Sequence, residues 1–510
     1  MGHTDRALIL TIDLGLSSCK SILFHLDGSV AAMGQKAYPF MRPNESYVEA
    51  NAEEWWDAVV SSTREALASL EGEANVVAIV PTGQMHCVVP IDAQGVVTGP
   101  VMTIFDRRSR TECDEITDRI PLADVYGLTG QRLGTYAPAA KIRWFRKHEP
   151  KGFDRTACFL PCKDYIRYRM TRRTATNENE AAGTLLYDIR ARSWSSAMLE
   201  AVGVTAERLP EIVPAEATAG GLTAEAASAM GLSPGIPVIV GSADDIELVG
   251  GGVFSPRQAY EHLGTTGYLG VCSEQFLLDP KMLLETLPHG VGSLWLVGGS
   301  TSNVGTAMQW AADLASPIGI ESLIDGHLAP MLRDKQQLLS PLICLPYFEG
   351  ERAPVWDLDA RAAFVGISPR TTRADMARAV LEAIVLSMRC IMDLLEDMGA
   401  QVDVVISTGG GAQSRTWATF RASAYRKPIE IPHFVHRTSL GIMLIAGQAI
   451  GAWSDLKEAW SSMRLKCDTI EPNPSLADRI DRSLVAYREA YAGLAPVFKT
   501  MARGQQTSQG

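Results

Sequence analysis

The chain opens on short apolar runs separated by turns. ALILTID (7–13) is apolar and rich in β-branched residues, LGLSS turns, and CKSILFHL (19–26) runs on. Asp27-Gly28 is a hairpin signal, and SVAAMGQKAYPF (29–40) follows it. This pattern predicts three successive strands. The period then changes. In NAEEWWDAVVSSTREALASL (51–70), Trp55, Val59, Ala66 and Leu70 recur at helical spacing, which predicts an amphipathic helix. VVAIVPTGQMH (76–86) reads as a buried strand running into a loop.

A second series begins near Pro237. VIVGSADD (238–245) is an apolar strand that ends on two adjacent carboxylates, and QAYEHLGTTGYLGVCSE (258–274) reads as strand, glycine-rich turn, strand. A helix is predicted from Arg373 to Met398, started by a variant capping box over Thr372 to Asp375 and stopped by Gly399. VDVVISTGGGAQSRTW (402–417) repeats strand, glycine-rich loop, helix, and SLADRIDRSLVAYREAYAGL (475–494) is a final helix. Strands alternating with helices predict an α/β architecture. We expect two lobes, residues 1–246 and 247–495, with a cleft between them, and a tail over 496–510 whose polar end, ARGQQTSQG (502–510), is frayed.

Composition narrows the class. The 510 residues are 46% hydrophobic and carry a net charge of −11, which suits a globular enzyme and argues against non-specific nucleic-acid binding. No apolar run approaches eighteen residues and the start does not read as a secretory signal, so no membrane partner is expected. Nine scattered cysteines without a C-x-x-C pair read as reduced thiols, hence a cytoplasmic protein. Cys158 and Cys162 are close but lack a second ligand pair for zinc.

Three glycine-rich turns join or follow strands: DLGLSSCK (13–20), HLGTTG (262–267) and STGGGA (407–412). Glycine lets the backbone approach a phosphate and point N–H groups at it. One such turn is commonly a plain hairpin; three suggest a nucleotide. None is a P-loop, and no G-x-G-x-x-G opens a helix after the first strand. Two acids closing a buried strand are costly as structure and useful as chemistry, because a carboxylate there can accept a hydroxyl proton.

In order along the chain, IDLGLSSCK, GQMH, KDY (163–165), TNENEAAGTLLYD, GSAD, LGTTG, PYFEGERAPVWD and STGGGAQSRTW resemble the motifs of FGGY carbohydrate kinases, and GQMH is similar to the xylulokinases and some neighbouring kinases. The resemblance spans roughly residues 7 to 495. It implies a two-lobed actin-like ATPase (ribonuclease H-like) α/β fold with a central cleft, and ATP and Mg²⁺ as co-substrate and cofactor. It puts Asp244 at the catalytic base and Asp13 at the acid that positions the metal, usually through water. It assigns Gly15, Ser17, Ser18 and Lys20 to the first phosphate turn and Gly264 and Thr265 to the loop that contacts the transferred phosphoryl. Gly305, Gln309, Gly410, Gly411 and Ala412 fall on the nucleotide surface. Gln84, Met85, His86, Asp106, Arg108 and Asp245 fall on the sugar side.

The chain also departs from the family pattern. Asp245 stands where Asn or Gln is usual, Leu16 replaces a threonine, Thr419 and Ser423 replace Gln and Asp, and His436 stands where Glu is common. Trp55-Trp56 reads as helix packing, Lys163 and Asp164 as a mutual pair or a site pair, and Glu351-Arg352 as part of an ordered loop. The expected activity is phosphorylation of a small sugar by ATP, most simply a ketose such as xylulose. Ribulose, erythritol or gluconate are alternatives, and a non-kinase actin-like ATPase or sugar sensor is a different class, against which Asp244 argues. The expected partners are the sugar and ATP, with no nucleic acid and no membrane; the oligomeric state is open, a homodimer being one form.

Overall fold

The computed structural model describes residues 7–315, 319–330, 341–463 and 465–507. They divide into two compact units. The first runs to Phe254 and also takes in Leu287–Leu294 and Phe434–Leu465; the second comprises Ser255–Thr286, Trp295–His433 and the chain from Lys466. The linear boundary expected at 246 therefore describes only part of the division, since the chain returns twice to its first unit.

The first unit is built on the strands that the opening pattern predicts: β1 (Ala7–Leu14), β2 (Ser18–His25) and β3 (Val30–Ala37). Gly28 turns the β2–β3 hairpin at φ +83°, a left-handed conformation that suits glycine. Helix α1 (Ala52–Ser69) is capped by the Asn51 side chain and buries Trp55, Trp56 and Val59. β4 (Asn75–Gly83), α2 (Cys162–Thr171), α3 (Glu178–Gly183), β5 (Thr218–Gly221) and β6 (Pro237–Ile239) follow. The sheet order is β5-β6-β4-β1-β2-β3. β1, β4 and β6 are parallel at its centre, so the segments after all three leave by the same edge. In α/β sheets that carboxyl edge is where ligands bind.

The second unit repeats the plan. β7 (Gln258–Leu263) and β8 (Gly267–Ser273) form an antiparallel hairpin, and β9 (Trp295–Thr301) pairs with β8. Helices α4 (Gly305–Ala315) and α5 (Arg373–Asp397) come next; α5 starts at the expected capping box, Thr372 with Asp375, and Gly399 follows it at φ +87°. β10 (Val404–Thr408) pairs parallel to β7, and α6 (Arg415–Tyr425) and β11 (Ile429–Pro432) succeed it. The chain then re-enters the first unit with α7 (Arg437–Ala449) before closing in the second with β12 (Cys467–Ile470) and α8 (Pro474–Thr507). The final helix, expected over 475–494, runs through Pro496 to Thr507, so the tail is helical to that point and the stretch expected to fray begins inside the helix.

Among the described residues no helix is long and apolar enough to cross a membrane. All nine cysteines are free thiols, eight of them buried or partly buried.

Candidate active site

The acids of the first unit gather at its carboxyl edge. Asp13 lies near the end of β1, opposite Lys20 of β2 on one side and Thr82 of β4 on the other. Asp244 and Asp245 form a short 3₁₀ turn after β6, and Glu247 opens the next helical turn. Gly241 makes this bend possible. It sits at φ +77°, and a Cβ there would stand 2.0 Å from the Pro81 carbonyl oxygen of β4. The turn is held from behind by close backbone contact with α7: a Cβ on Gly250 would meet the Arg437 carbonyl at 1.8 Å, and one on Gly441 the Ile246 carbonyl at 2.3 Å. These glycines fix where the two acids stand.

Each acid keeps part of its surface open yet lies deep enough to lose much hydration. Burial, then the neighbouring charges of Asp245, Asp13 and Glu247, push the Asp244 carboxyl up to about 8; its own backbone N–H offsets part of this. Burial pushes Asp13 up to about 6, opposed by Lys20 and reinforced by Glu247. Burial also raises Asp245 to about 6, against a hydrogen bond from Asn179. Repulsion and lost hydration favour the neutral form of each acid. Among the described residues, no group of three or more His, Cys, Asp or Glu is placed to cage a metal. A crowd of carboxylates without a cage fits a hard divalent cation that keeps most of its waters, such as Mg²⁺. Asp13 would hold it from the protein side.

The sugar-side residues fall into two groups. Gln84 is buried; its backbone N–H bonds the Leu14 carbonyl at 3.0 Å and its Nε2 the Gly15 carbonyl at 3.3 Å, which ties GQMH to the first phosphate turn. Tyr38 also donates to Gly15, Gln35 Nε2 donates to Ser18 Oγ at 2.9 Å, and Ser17 and Leu16 are exposed. His86 adopts φ +66°, with its Nδ1 2.8 Å from the Gly183 carbonyl; Met85 is half-buried, its Cε 2.5 Å from where a Gly183 Cβ would stand. Buried Lys141 donates to the His86, Thr103 and Tyr136 carbonyls at 2.6–2.8 Å, knitting three loops together, and burial lowers its ammonium to about 8. Asp106 and Arg108 form a different group. Arg108 is bound by Nε and Nη2 to Asp106 and Glu49, lies 3.8 Å over the Tyr47 ring, and its side chain is 2% exposed. As drawn, this pair shapes the loop that carries Thr103 and offers little of itself to a ligand.

Residues that sequence reading did not single out complete this wall. Asn179 of α3 donates to Asp245 Oδ2 at 2.7 Å and to the Pro288 carbonyl at 3.0 Å. Asn177 donates to Ser242 at 2.9 Å, and Ser242 reaches Asn179 at 3.4 Å. Glu180 is buried, and its carboxyl is pushed well above the usual range, by burial first and then by Asp164, Asp244 and Asp245, with Lys163 opposing. The only sequence signal was that all three lie in TNENEAAGT. Lys163 and Asp164 pair at 2.7 Å with both side chains fully buried.

In the second unit the expected nucleotide residues converge on one strand end. Gly305, first residue of α4, donates to the Gly264 and Thr265 carbonyls at 3.0 and 2.9 Å, and a Cβ on it would stand 2.7 Å from the Gly264 oxygen. On the other side Gly409, at φ +88°, would place a Cβ 2.4 Å from the Leu263 carbonyl, and Gly411 packs on Leu263 and Trp417. Gly410–Ala412 forms a 3₁₀ turn that leads into α6, capped by Ser414. Gln309 is exposed on α4 and bonds Asp313 at 2.8 Å. Beneath the loops, buried Glu261 of β7 accepts from Arg421 and Tyr425 of α6 and from Ser407 of β10, while Arg421 Nη2 also reaches the Ala412 carbonyl at 3.4 Å. The departures on α6 are satisfied locally: Thr419 bonds the Arg415 carbonyl, and Ser423 bonds Thr419 and receives the Asn473 N–H at 3.0 Å. Glu351 is buried, accepting from Thr301, Ser302 and Asn303, which makes its loop an ordered one. His436, in the first unit, stands at the N-cap position of α7 without a side-chain capping bond, and burial, then Lys20, lower its imidazole from the usual value.

Comparison with known proteins gives the family of the chain. Residues 8–249 match the N-terminal domain, and 259–450 the C-terminal domain, of the FGGY family of carbohydrate kinases. Xylulose kinase of Escherichia coli (strain K12) is 31% identical over 411 residues, 80% of this chain and 83% of that protein. Gluconokinase of Bacillus subtilis (strain 168) is 26% identical, over 87% of this chain and 88% of that one. The structure of ligand-bound xylulose kinase from Lactobacillus acidophilus superposes with a TM-score of 0.90 at 24% identity, covering 97% of this chain and all of that one, a likeness of fold. The two α/β units are therefore those of the actin-like ATPase fold as sugar kinases carry it, and the chain belongs to the FGGY family of carbohydrate kinases.

Proposed function

We propose that this carbohydrate kinase transfers the γ-phosphoryl of ATP to a hydroxyl of a small neutral sugar, with a ketose such as xylulose as the leading substrate. In this reading the first unit binds the sugar and the second the nucleotide. The observation that carries it is Asp244: a carboxylate at a strand end, raised to about 8 by burial and by the acids around it, a value suited to taking a hydroxyl proton near neutral pH. Family members use ATP and generally require a divalent metal. When bound, that cation, Mg²⁺ in this proposal, supplies charge neutralisation at the phosphates.

The chain's own residues have the remaining work. Asp244 accepts the proton of the attacking hydroxyl. Gln84, Met85, His86 and Asp245 orient the sugar, and Asp106 and Arg108 act through the shape of their loop. Gly15, Ser17, Ser18, Gly264, Thr265 and Gly305 offer backbone and hydroxyl donors to phosphate oxygens, and Lys20 brings positive charge. Gln309, Gly410, Gly411 and Ala412 form the nucleoside side. Positioning and charge dominate phosphoryl transfer, so this set needs no covalent intermediate. The free thiols fit a reducing compartment, the cytoplasm.

A coupled ADP-release screen over ketoses, polyols and sugar acids tests the reading. Turnover that depends strictly on an added ketose is the expected result. ATP hydrolysis indifferent to every sugar would instead support a sensor or a simple ATPase.

A further inference from the structure

The sugar side of the first unit has an unusual balance of hydrogen-bonding capacity. Gln84 Oε1, Glu180 Oε2 and Asn177 Oδ1 are buried and have no hydrogen-bond partner among the described residues. For Gln84 the orphan is the oxygen, because Nε2 faces the Gly15 carbonyl. Buried polar atoms normally find partners, so orphans clustered at a binding site mark what a ligand must bring. Asn177 and Glu180 lie on the segment that carries Asn179, and Cys162, which donates to the Gln84 backbone carbonyl at 3.0 Å, feels both Glu180 and Asp244. Asp245 belongs to this wall. Asn179 occupies its Oδ2 at 2.7 Å, and the partly exposed carboxylate retains further acceptor capacity. Of the neighbouring lysines, Lys163 is engaged with Asp164 at 2.7 Å, and Lys20 stands opposite Asp13 in the strand pairing.

We infer that Asn179 is a positioning residue that anchors Asp245, and that Asp245 and Gln84 present acceptors that select a neutral, polyhydroxylated substrate and reject one that carries a carboxylate. This rests on the kinase reading above and narrows its substrate class. A hydroxyl meets each acceptor by donating to it. A substrate carboxylate has no proton to give and would face like charge at Asp245. Because the amide of Asn179 also binds the Pro288 carbonyl, it holds Asp245 against a fixed backbone point, so losing the amide frees the carboxylate to turn.

The test compares kcat/KM for xylulose, xylitol and xylonate, three five-carbon probes, in the wild type and in Asn179→Ala, Asn179→Asp and Asp245→Asn, each checked for an unchanged thermal transition. The wild type should prefer the better neutral probe over xylonate by roughly a hundredfold or more, the scale on which buried polar groups reject a mismatched partner. Asp245→Asn should narrow that ratio by roughly tenfold, and both Asn179 variants should raise KM for the neutral probes more than they lower kcat. A purely structural defect would depress all probes by one factor and leave the ratio alone. Preference for xylonate in the wild type, or a ratio unchanged in all three variants, overturns the inference. Absence of ADP release with every probe and every other sugar screened would strike the kinase reading itself, a separate outcome.

Discussion

Two buried acids in this protein meet opposite fates. Glu261, in the second unit, is wholly enclosed and fully answered: Arg421, Tyr425 and Ser407 all donate to it. Asp244, in the first, is crowded by Asp245, Asp13 and Glu247 and is pushed up to about 8. Both carboxylates end or line strands near glycine-rich turns. What differs is the sign of the neighbours. A buried acid given a guanidinium becomes a fixed ionic post that pins β7, β10 and α6 under the glycine-rich loops. An acid crowded by other acids holds its proton more tightly, which is what the proposed role as a base needs and what a cation would relieve. Sequence composition treats the two alike; the partner list separates them.

The comparison breaks most readily at Arg421. Arg421→Met leaves Glu261 buried and unpaired, and is expected to destabilise the protein by about 3–5 kcal/mol in denaturant unfolding. Adding Glu261→Leu should recover much of that loss. A single variant within about 1 kcal/mol of wild type would mean the pair is no post.

Asp244→Asn should do the reverse. Turnover is expected to fall by roughly 10²-fold or more, the scale of general-base loss, while the ligand-free protein becomes more stable by about 1–2 kcal/mol near pH 8, since a repelling buried charge is gone. The sign follows from linkage. An acid whose folded value is raised from 3.8 to about 8 binds its proton more tightly when folded, so its contribution is present below pH 4 and lost as pH rises to 8. The stability gap between variant and wild type should therefore widen from pH 5 to pH 8 and then level. A gap that does not change with pH would remove burial and repulsion as the cause.

The smallest expected effect concerns α6. Ser423→Ala removes the acceptor of the Asn473 N–H and should cost about 1 kcal/mol in stability, with KM for sugar unchanged. A shift in KM for ATP would show that this departure acts on the nucleotide and not only on the start of α8.

Much of the architecture was legible in the chain because it is written locally. The hairpin at Asp27-Gly28, the capping box before Arg373 and the glycine after Met398 are short-range devices, and each appears where the pattern put it. The eight ordered motifs carried the family. The bend at Gly241 was not legible: the reason only glycine fits, the Pro81 carbonyl, comes from a strand far away in sequence. The last helix was read too short: the pattern closed it at Leu494, whereas it runs on to Thr507.

What tertiary structure alone decided is which polar groups answer one another. Asp106 and Arg108 read as sugar contacts and lie in a closed knot with Glu49, whereas Asn179 and Glu180 had no distinguishing pattern and stand beside Asp245. Local propensity and periodicity act over a few residues, so they determined the strands, caps and turns. Hydrogen bonds and Coulomb interactions between side chains depend on distances across the fold, 66 residues of sequence in the case of Asn179 and Asp245. The acidity of Asp244 is of this second kind: its residue type was given by the chain, and its value was set by burial and by neighbours that only folding assembles.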